Sequence, residues 1–302
     1  MSPSLSSPRI AIIGAGIIGL SCAWELAKRG AHVTLFDSGF YPGRGASWAA
    51  AGMLAPAYEA AAEPGVNPRL FDLCLKSARQ WIDMSGAIAA VTRRDVLHSI
   101  GPSLAVAQTA EDRIQLAGLA KALTARKIAF DVLSPDEAVQ AEPCLRVGNK
   151  GALRLPTDGQ VDNRLLVEAL IRALESQERV AFVTGTAPLA MVQGKIVLDG
   201  FDRVIFAAGW ETASVTVGEM PLGDIAPMLR KIEPVAGHML SFNRLPDGPA
   251  MTMRAGALYI VPKAGRLIVG ATMEPGETST RIDPAAINRL EAAAQSLCPM
   301  LK

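Results

Sequence analysis

The chain has 302 residues, of which 50% are hydrophobic and 20% charged, so it can bury a full core and is long enough for two domains. Its 30 Lys and Arg residues nearly balance 29 Asp and Glu residues, which leaves a formal net charge of +1. The chain therefore lacks the basic surface that binds a phosphate backbone, and we predict no nucleic-acid partner.

Neither a membrane segment nor a metal site is predicted. The apolar run AIIGAGIIGL at residues 11–20 is too short to span a bilayer. The residues that most often ligate zinc are scattered and show no CxxC spacing: Cys22, Cys74, Cys144, Cys298, His32, His98 and His238. This pattern predicts buried, reduced thiols in a cytoplasmic protein whose N-terminal segment, MSPSLSSPR, is frayed.

The first elements of the chain form a predicted βαβ unit. RIAIIG (residues 9–14) is a β-branched apolar run that breaks at a glycine turn, and apolar residues then recur with helical spacing up to Gly30. HVTLFD (residues 32–37) is predicted to be the second strand. Because a helical crossover joins them, the two strands should be parallel, as in α/β folds.

Further helices are predicted along the middle of the chain and at its end. Apolar spacing predicts a helix from about Pro68 to Met84 and an amphipathic one over residues 111–126. Helix starts are predicted from their capping residues, with a complete capping box at the first of them: Ser134 with Pro135 and Glu137, Asp162, and Asp283 with Pro284.

Several strands are predicted between these helices, mostly in the second half. VLHSIGPSLAVAQ (residues 96–108) predicts a β-hairpin around Gly101 and Pro102. Apolar runs bounded by turns predict further strands, the last two joined by a tight turn at residues 263–266: VAFVTG, KIVLDG, RVIFAAG, VAGHMLSF and the pair in ALYIVPKAGRLIVGAT.

The glycine turn carries the first chemical signal. GAGIIG supplies Gly14, Gly16 and Gly19 between a strand and a helix, and Asp37 follows about 20 residues later at the end of the next strand. Such a turn presents helix amides to a diphosphate, while the acid accepts hydrogen bonds from a ribose. The alternative is an incidental glycine turn. Asp37 also argues against NADP, whose 2′-phosphate it would repel.

The stretch GRGASWAAAGMLAP (residues 43–56) bears on the choice between NAD and FAD. Small side chains after the ribose acid let main-chain amides reach an extended cofactor, and Ser47 can add a hydroxyl. The structural alternative is a tight contact between helices. An NAD-dependent dehydrogenase is a poorer interpretation, because no second nucleotide-binding half follows Asp37.

A resemblance rests on segments that occur in one order over nearly the whole chain. They are GAGIIG, Asp37, residues 43–56, PTDGQVDNRLLVEAL (156–170), VIFAAGW (204–210), PVAGHML (234–240) and YIVPKAGRLIVGATMEPG (259–276). With them the chain resembles the D-amino-acid oxidase superfamily, and within it the glycine oxidases of thiamine biosynthesis. Lys263 stands where this family usually has Arg.

The resemblance implies FAD as cofactor and oxidation of a small amino acid, such as glycine or sarcosine, to an imine that is hydrolysed to a keto acid. Oxygen would reoxidise the flavin and give hydrogen peroxide. Since hydride passes to the cofactor, no strong protein base is required. Carried over by position, the cofactor contacts are Gly14, Gly16, Ile17, Ile18, Gly19, Asp37, Ser38, Ala46, Ser47, Ala51, Gly52, Met53 and Ala187. Tyr259 would face the substrate carboxylate, or else place its ring in the core.

The expected fold is mixed α/β, with an FAD-binding Rossmann-like domain and a second, antiparallel-sheet substrate domain. We assign residues 1–84, 150–221 and 283–302 to the first, and residues 85–149 and 222–282 to the second. A homo-oligomer is expected by family analogy alone.

The chain departs from the family after the helix that starts at Asp283. Relatives continue with a strand and a segment that holds the arginine for the substrate carboxylate. Two interpretations follow: an active glycine-oxidase-like enzyme, or a truncated flavin-binding chain with little or no turnover. Arg254, five positions before Tyr259, is the nearest candidate to replace that arginine, and the sequence favours an ordinary structural role for it.

Overall fold

The computed structural model describes residues 7–39, 42–62 and 67–301, so the frayed N-terminus predicted from MSPSLSSPR falls mostly outside the described residues. The chain divides into two compact units. The first unit comprises Met1–Ala50, Gly86–Val96 and Asn163–Pro234, and the second comprises Ala51–Ser85, Leu97–Asp162 and Val235–Lys302. The predicted division into cofactor and substrate domains concerns function and stays a prediction.

The helices of the described residues are α1 Ile17–Lys28, α2 Ala46–Ala49, α3 Pro56–Ala62, α4 Pro68–Thr92, α5 Ala110–Ala125, α6 Pro135–Ala141, α7 Asn163–Glu175, α8 Leu222–Ile225 and α9 Pro284–Leu297, with 3-10 helices at Gly209–Ser214 and Pro227–Lys231. Helix α4, with 25 residues, is the longest helix of the described residues.

The strands of the described residues run through both units. They are β1 Arg9–Ile13, β2 His32–Asp37, β3 Met53–Leu54, β4 Ser99–Ile100, β5 Ser103–Val106, β6 Asp131–Leu133, β7 Ala152–Leu155, β8 Gly159–Gln160, β9 Val180–Thr184, β10 Ala190–Val192, β11 Lys195–Val197, β12 Arg203–Phe206, β13 Thr216–Val217, β14 Met220–Pro221, β15 Val235–Ala236, β16 Met239–Asn243, β17 Thr252–Ala255, β18 Leu258–Lys263, β19 Arg266–Gly270 and β20 Glu274–Pro275.

The first unit is built on a four-stranded parallel sheet of order β12-β1-β2-β9. Ile12 of β1 pairs with Leu35 of β2 on one side and with Ile205 of β12 on the other. The predicted βαβ unit is confirmed. Because parallel strands end at the same edge, the residues after Ile13 and those at Asp37 meet at the carboxyl edge of this sheet.

Two layers cover the parallel sheet. Ile12 lies under α1 at Gly19, where a Cβ would come within 3.4 Å of its Cγ2 atom. Ala11 and Ile13 point the other way, into an apolar cluster that includes Leu198, Val217 and Leu222. The alternation of side chains along β1 thus places one set under the helix and the other in this second cluster.

The second unit contains a seven-stranded sheet of order β16-β19-β18-β17-β5-β7-β6. All of its strand pairs are antiparallel except β17 with β5. One face packs against α6 and α9 through residues such as Ala138 and Leu290, and the opposite face packs against α3 and α5 through Ala57 and Leu119. The predicted fold class, a mixed α/β protein with a Rossmann-like part and an antiparallel sheet, is confirmed.

Several predicted helix boundaries are confirmed. Ser134 accepts a hydrogen bond from the Glu137 amide, and Glu137 accepts one from the Ser134 amide, which completes the capping box of α6. Asp283 accepts bonds from the first amides of α9. Helix α4 runs eight residues beyond its predicted end at Met84, through Thr92, because alanines and other apolar residues continue the helical pattern past Gly86.

The predicted hairpin in residues 96–108 is wrong. β4 and β5 belong to different sheets, since β4 pairs with β8 whereas β5 pairs with β7 and β17. β5 is therefore paired at both edges within the large sheet, and all four of its residues are buried. VAGHMLSF, predicted as one strand, forms β15 and β16 instead, because the backbone at Gly237 lies against the Thr272 carbonyl.

Candidate functional site

The glycine turn after β1 is shaped by two close backbone contacts. Gly14 has φ +102°, and a Cβ there would lie 2.5 Å from the carbonyl oxygen of Ala207. A Cβ on Gly19 would overlap the carbonyl oxygen of Gly14. Side chains at these positions would push the turn away from β12 and α1 away from the turn. The predicted spacing of the glycines therefore has a steric cause.

The start of α1 faces Ser47. Gly16 precedes the helix without a side-chain cap, and the Ile17 amide donates to Ser47 Oγ over 2.9 Å. A Cβ on Gly16 would lie 3.4 Å from the same oxygen. Ile18 is 65% exposed. The positive end of the α1 dipole and the Ser47 hydroxyl are thus adjacent in the first unit.

Asp37 adjoins the same turn. Its Oδ2 accepts a hydrogen bond from the Ala15 amide at 2.6 Å and its Oδ1 accepts one from the Gly39 amide at 2.8 Å. Ser38 is exposed beside it. The carboxylate is held at the carboxyl edge of the parallel sheet and keeps lone pairs for further donors.

Sequence reasoning missed the residue that holds α2 in place. The buried Asn163 side chain donates to the carbonyl oxygens of both Ser47 and Trp48, each over 2.9 Å. Asn163 lies in residues 156–170, one of the segments that carry the family resemblance, yet its local pattern indicates only a helix start. Asp162, predicted to cap α7, forms an ion pair with Arg266 at 3.2 Å, and its capping role stays a prediction.

Two arginines next to Ser47 were also missed. Arg44 lies 3.6 Å from the ring centroid of Trp48, and Arg164 lies 5.2 Å from it. Their guanidinium groups place positive charge at Trp48, the residue after Ser47, and positive charge favours an anionic ligand. Ala46 is exposed in this region. Ala187 lies elsewhere in the first unit, buried in the apolar cluster with Ile13 and Phe36.

These groups fit an adenine dinucleotide. Helix amides, the Ser47 hydroxyl and nearby cations suit a diphosphate, and the carboxylate of Asp37 suits ribose hydroxyls. Because Gly14 and Gly16 have no side chains, the main chain of the turn could approach such a ligand closely.

The second unit carries the remaining predicted cofactor contacts. Ala51 is buried, and the Gly52 carbonyl accepts a hydrogen bond from the Val161 amide at 2.9 Å. Met53 pairs with Gln160 across β3 and β8, and its Sδ atom lies 3.3 Å from a guanidinium nitrogen of Arg254.

Tyr259 lies on the face of the large sheet that α3 and α5 cover. It is opposite Arg254 in the β17–β18 register, so the two side chains share this face. The Tyr259 hydroxyl donates to Met239 Sδ over 3.0 Å, and its ring lies against Gly270. Burial raises the pKa of Tyr259, which keeps the phenol protonated.

Lys263, the residue that departs from the family motif, is buried in the same unit. Its Nζ donates to the carbonyl oxygen of Val161 over 2.7 Å. Burial lowers the pKa of Lys263 to about 8, although the nearby Asp162 carboxylate acts in the opposite direction. The ammonium group therefore ties β18 to the chain that precedes α7.

In the described ranges, no group of three or more His, Cys, Asp or Glu residues is placed to hold a metal ion. Among the helices of those ranges, none has both the length and the apolar character needed to cross a membrane. Cys144 and Cys298 are buried free thiols, whereas Cys22 and Cys74 are half-buried ones.

Comparison with known proteins extends over nearly the whole chain. A family model described as DAO, FAD dependent oxidoreductase, matches residues 9–302. Glycine oxidase from Bacillus licheniformis is 30% identical over 296 residues, which cover 95% of this chain and 76% of that protein. The bifunctional protein ThiO/ThiG from Synechocystis sp. is 31% identical over 303 residues, which cover 97% of this chain and 42% of that protein.

The fold agrees with these matches. The crystal structure of glycine oxidase from Geobacillus kaustophilus superimposes with a TM-score of 0.84 at 28% identity, covering 98% of this chain and 80% of that one. Both comparisons thus agree with the mixed α/β fold of the two units. The chain is a member of the DAO family of FAD-dependent oxidoreductases.

Proposed function

We propose that this chain is an FAD-dependent oxidase of glycine or another small amino acid. The observation that carries the proposal is the site in the first unit, where the Ile17 amide, Ser47 and Asp37 surround the glycine turn. The substrate class is supported by 30% identity to a glycine oxidase over 95% of the chain.

The cofactor would be held mainly by main-chain groups. The Ile18 amide would bind the diphosphate together with the Ser47 hydroxyl, whose oxygen accepts from the Ile17 amide. Asp37 would accept from the ribose, with Ser38 beside it. The remaining proposed contacts are Gly14, Gly16, Gly19, Ala46, Ala51, Gly52, Met53 and Ala187. In this proposal, the predicted cofactor domain binds FAD and the antiparallel-sheet domain binds the substrate.

Tyr259 would bind the substrate carboxylate. Its hydroxyl now donates to a methionine sulfur, which is a weak acceptor, so a carboxylate oxygen is a better partner. Burial raises the pKa of Tyr259, so the hydroxyl remains a donor at neutral pH. When bound, FAD supplies the acceptor for the two electrons of the oxidation, and the chain's own residues orient the substrate.

The proposed reaction converts the amine to an imine, which water hydrolyses to a keto acid and, for glycine, ammonia. Oxygen accepts the electrons and is released as hydrogen peroxide. A link to thiamine biosynthesis is a further part of the proposal, and it rests on the family resemblance.

The test is to titrate the purified chain with FAD, record its absorbance spectrum, and measure peroxide after adding glycine or sarcosine. We expect the perturbed spectrum of a bound flavin and peroxide that depends on the amino acid. No bound flavin at micromolar FAD would overturn the assignment of the site. Bound flavin without peroxide would replace the oxidase with a flavin-binding chain that has little turnover.

A further inference from the structure

A polar cavity of about 100 Å³ lies in the second unit, at the start of β5 and β17. Charged and polar side chains from distant parts of the sequence meet there. The residues that line it and matter here are Ser103, Asp158, Gln160 and Arg254. Since a water molecule takes roughly 30 Å³ in the liquid, the volume suits a few waters or one small organic molecule.

Three polar atoms of these lining residues have no hydrogen-bond partner in the described part of the chain. They are Asp158 Oδ1, Gln160 Oε1 and Arg254 Nε. Asp158 is only 1% exposed and Arg254 only 3%. Buried polar groups in native proteins are nearly always paired, by protein, water or ligand, so a cluster of three indicates a binding site.

The other atoms of the two charged groups are held firmly. Asp158 Oδ2 accepts from the Ser103 hydroxyl at 2.5 Å, and an Arg254 terminal nitrogen donates to the exposed Glu59 carboxylate at 2.7 Å. The guanidinium also lies 4.2 Å from the ring centroid of Tyr58. The unpartnered oxygen of Asp158 and the unpartnered nitrogen of Arg254 therefore belong to side chains whose other atoms are held in place.

This set of atoms matches a molecule with both a positive and a negative end. An ammonium group donates to a carboxylate and an amide oxygen, and a carboxylate accepts from a guanidinium N–H. Burial raises the pKa of Asp158 despite the nearby Ser103 hydroxyl and Arg254, so its charge is only partly compensated. A ligand cation beside it would supply the missing compensation.

We propose that this cavity binds a small α-amino acid as its zwitterion, with the ammonium group on Asp158 and Gln160 and the carboxylate on Arg254 Nε. The choice of an amino acid over other zwitterions of this size rests on the proposed function. Arg254 lies opposite Tyr259 in the sheet register, so the two proposed binding residues are neighbours on one face of the sheet. This assigns Arg254 a binding role in place of the structural one that the sequence favours.

The test uses the full chain without added FAD, so that no turnover occurs, and three probes titrated by NMR. Glycine carries both charged ends, methylamine only the cation, and acetate only the anion. Asp158→Asn removes the charge, and Gln160→Met removes one acceptor with little change in size. Asp131→Asn is the matched control, because Asp131 is an acid of the same unit that pairs with Arg154 outside the cavity.

We expect glycine to bind the unaltered chain and the Asp131→Asn variant with equal affinity. Its affinity for both cavity variants should be lower by about tenfold or more. Methylamine and acetate should each bind more weakly than glycine. Circular dichroism checks that each variant is folded, and Gln160→Met serves if Asp158→Asn is not. Equal glycine affinity in the cavity and control variants would overturn the proposal. It would also be overturned if no probe bound, because the cavity would then hold only ordered water.

The outcome is separable from that of the proposed function. If the chain produced no peroxide but bound glycine, and both cavity variants lost this binding, the cavity proposal would be supported and the oxidase proposal overturned. Peroxide production from glycine with the same affinity and KM in all variants would support the oxidase and overturn the cavity proposal.

Discussion

Gly14 is the residue at which backbone conformation and packing impose the same requirement. Its φ is +102°, and a Cβ added to it would clash with the backbone carbonyl of Ala207. Gly30 has a similar φ of +88°, but a Cβ there meets nothing within 4 Å. The pair separates the cost of a strained conformation from the cost of a steric clash.

Gly14→Ala should therefore lower the free energy of unfolding more than Gly30→Ala does. Strain alone costs about 1–3 kcal/mol, and the clash with β12 adds to it only at residue 14. Urea unfolding followed by circular dichroism measures both changes. Equal losses in the two variants would show that the turn yields to the added methyl group.

Lys263 gives stability a specific dependence on pH. Burial lowers the pKa of this ammonium group to about 8 in the folded chain, against 10.5 as its ordinary value. Above pH 8 the folded chain gives up a proton that the unfolded chain still holds, so the free energy of unfolding rises with pH until about 10.5. The shift of 10.5 − 8 = 2.5 corresponds to roughly 3 kcal/mol over this range.

Lys263→Met should abolish this rise, so that the unaltered chain gains stability relative to the variant as the pH increases from 8 to about 10. Chemical denaturation at a series of pH values measures the difference. Lys195→Met is the control, because Lys195 is exposed on β11 and its loss should leave the curve parallel to that of the unaltered chain. A constant offset between the Lys263→Met curve and the unaltered one would contradict the prediction.

At the scale of elements, the placement of α2 depends on a partner far away in sequence. This helix has four residues, which are too few to be stable alone. Asn163, at the start of α7, donates hydrogen bonds to the carbonyl oxygens of Ser47 and Trp48 within it. The same helix carries the Ser47 hydroxyl that accepts from the Ile17 amide. Asn163 is thus a positioning residue for the proposed FAD site.

Asn163→Ala should weaken FAD binding by about tenfold, since the loss of two buried hydrogen bonds lets α2 move away from α1. Quenching of flavin fluorescence on binding measures the affinity. Ser176→Ala is the control, because the Ser176 hydroxyl bonds only locally to Ala173 just beyond the other end of α7. Unchanged affinity in Asn163→Ala would mean that other contacts hold α2.

The same scale shows how far the sequence predicts the fold. The βαβ unit, the caps at Ser134 and Asp283 and the β18–β19 pair follow from local patterns, because their partners are close in sequence. The false hairpin at Gly101 has the opposite origin. Its turn residues give a local signal, but β5 pairs at its two edges with β7 and β17, which are distant in sequence.

At the scale of the whole molecule, the sequence predicts the nucleotide turn better than the polar cavity. The glycines and Asp37 lie in one continuous motif whose spacing encodes its geometry. Asp158 and Arg254, by contrast, become neighbours only when β17 pairs with β5 beside the chain leading to β8, a long-range arrangement that no periodicity reports. A lone buried arginine in a strand pattern therefore looks structural until its neighbours are known.

Cofactor specificity is the whole-molecule property that the site predicts. FAD binds only the folded chain, so at 100 times its Kd it should add about 2.7 kcal/mol to the free energy of unfolding and raise Tm by several degrees. NADP should give no such shift, because the carboxylate of Asp37, held by the Ala15 and Gly39 amides, repels a 2′-phosphate. Thermal unfolding with each ligand measures both effects. Asp37→Ala should lose most of the increase in Tm that FAD gives to the unaltered chain. Stabilisation by NADP equal to that by FAD, or an unchanged FAD effect in Asp37→Ala, would show that Asp37 is not the ribose-binding acid.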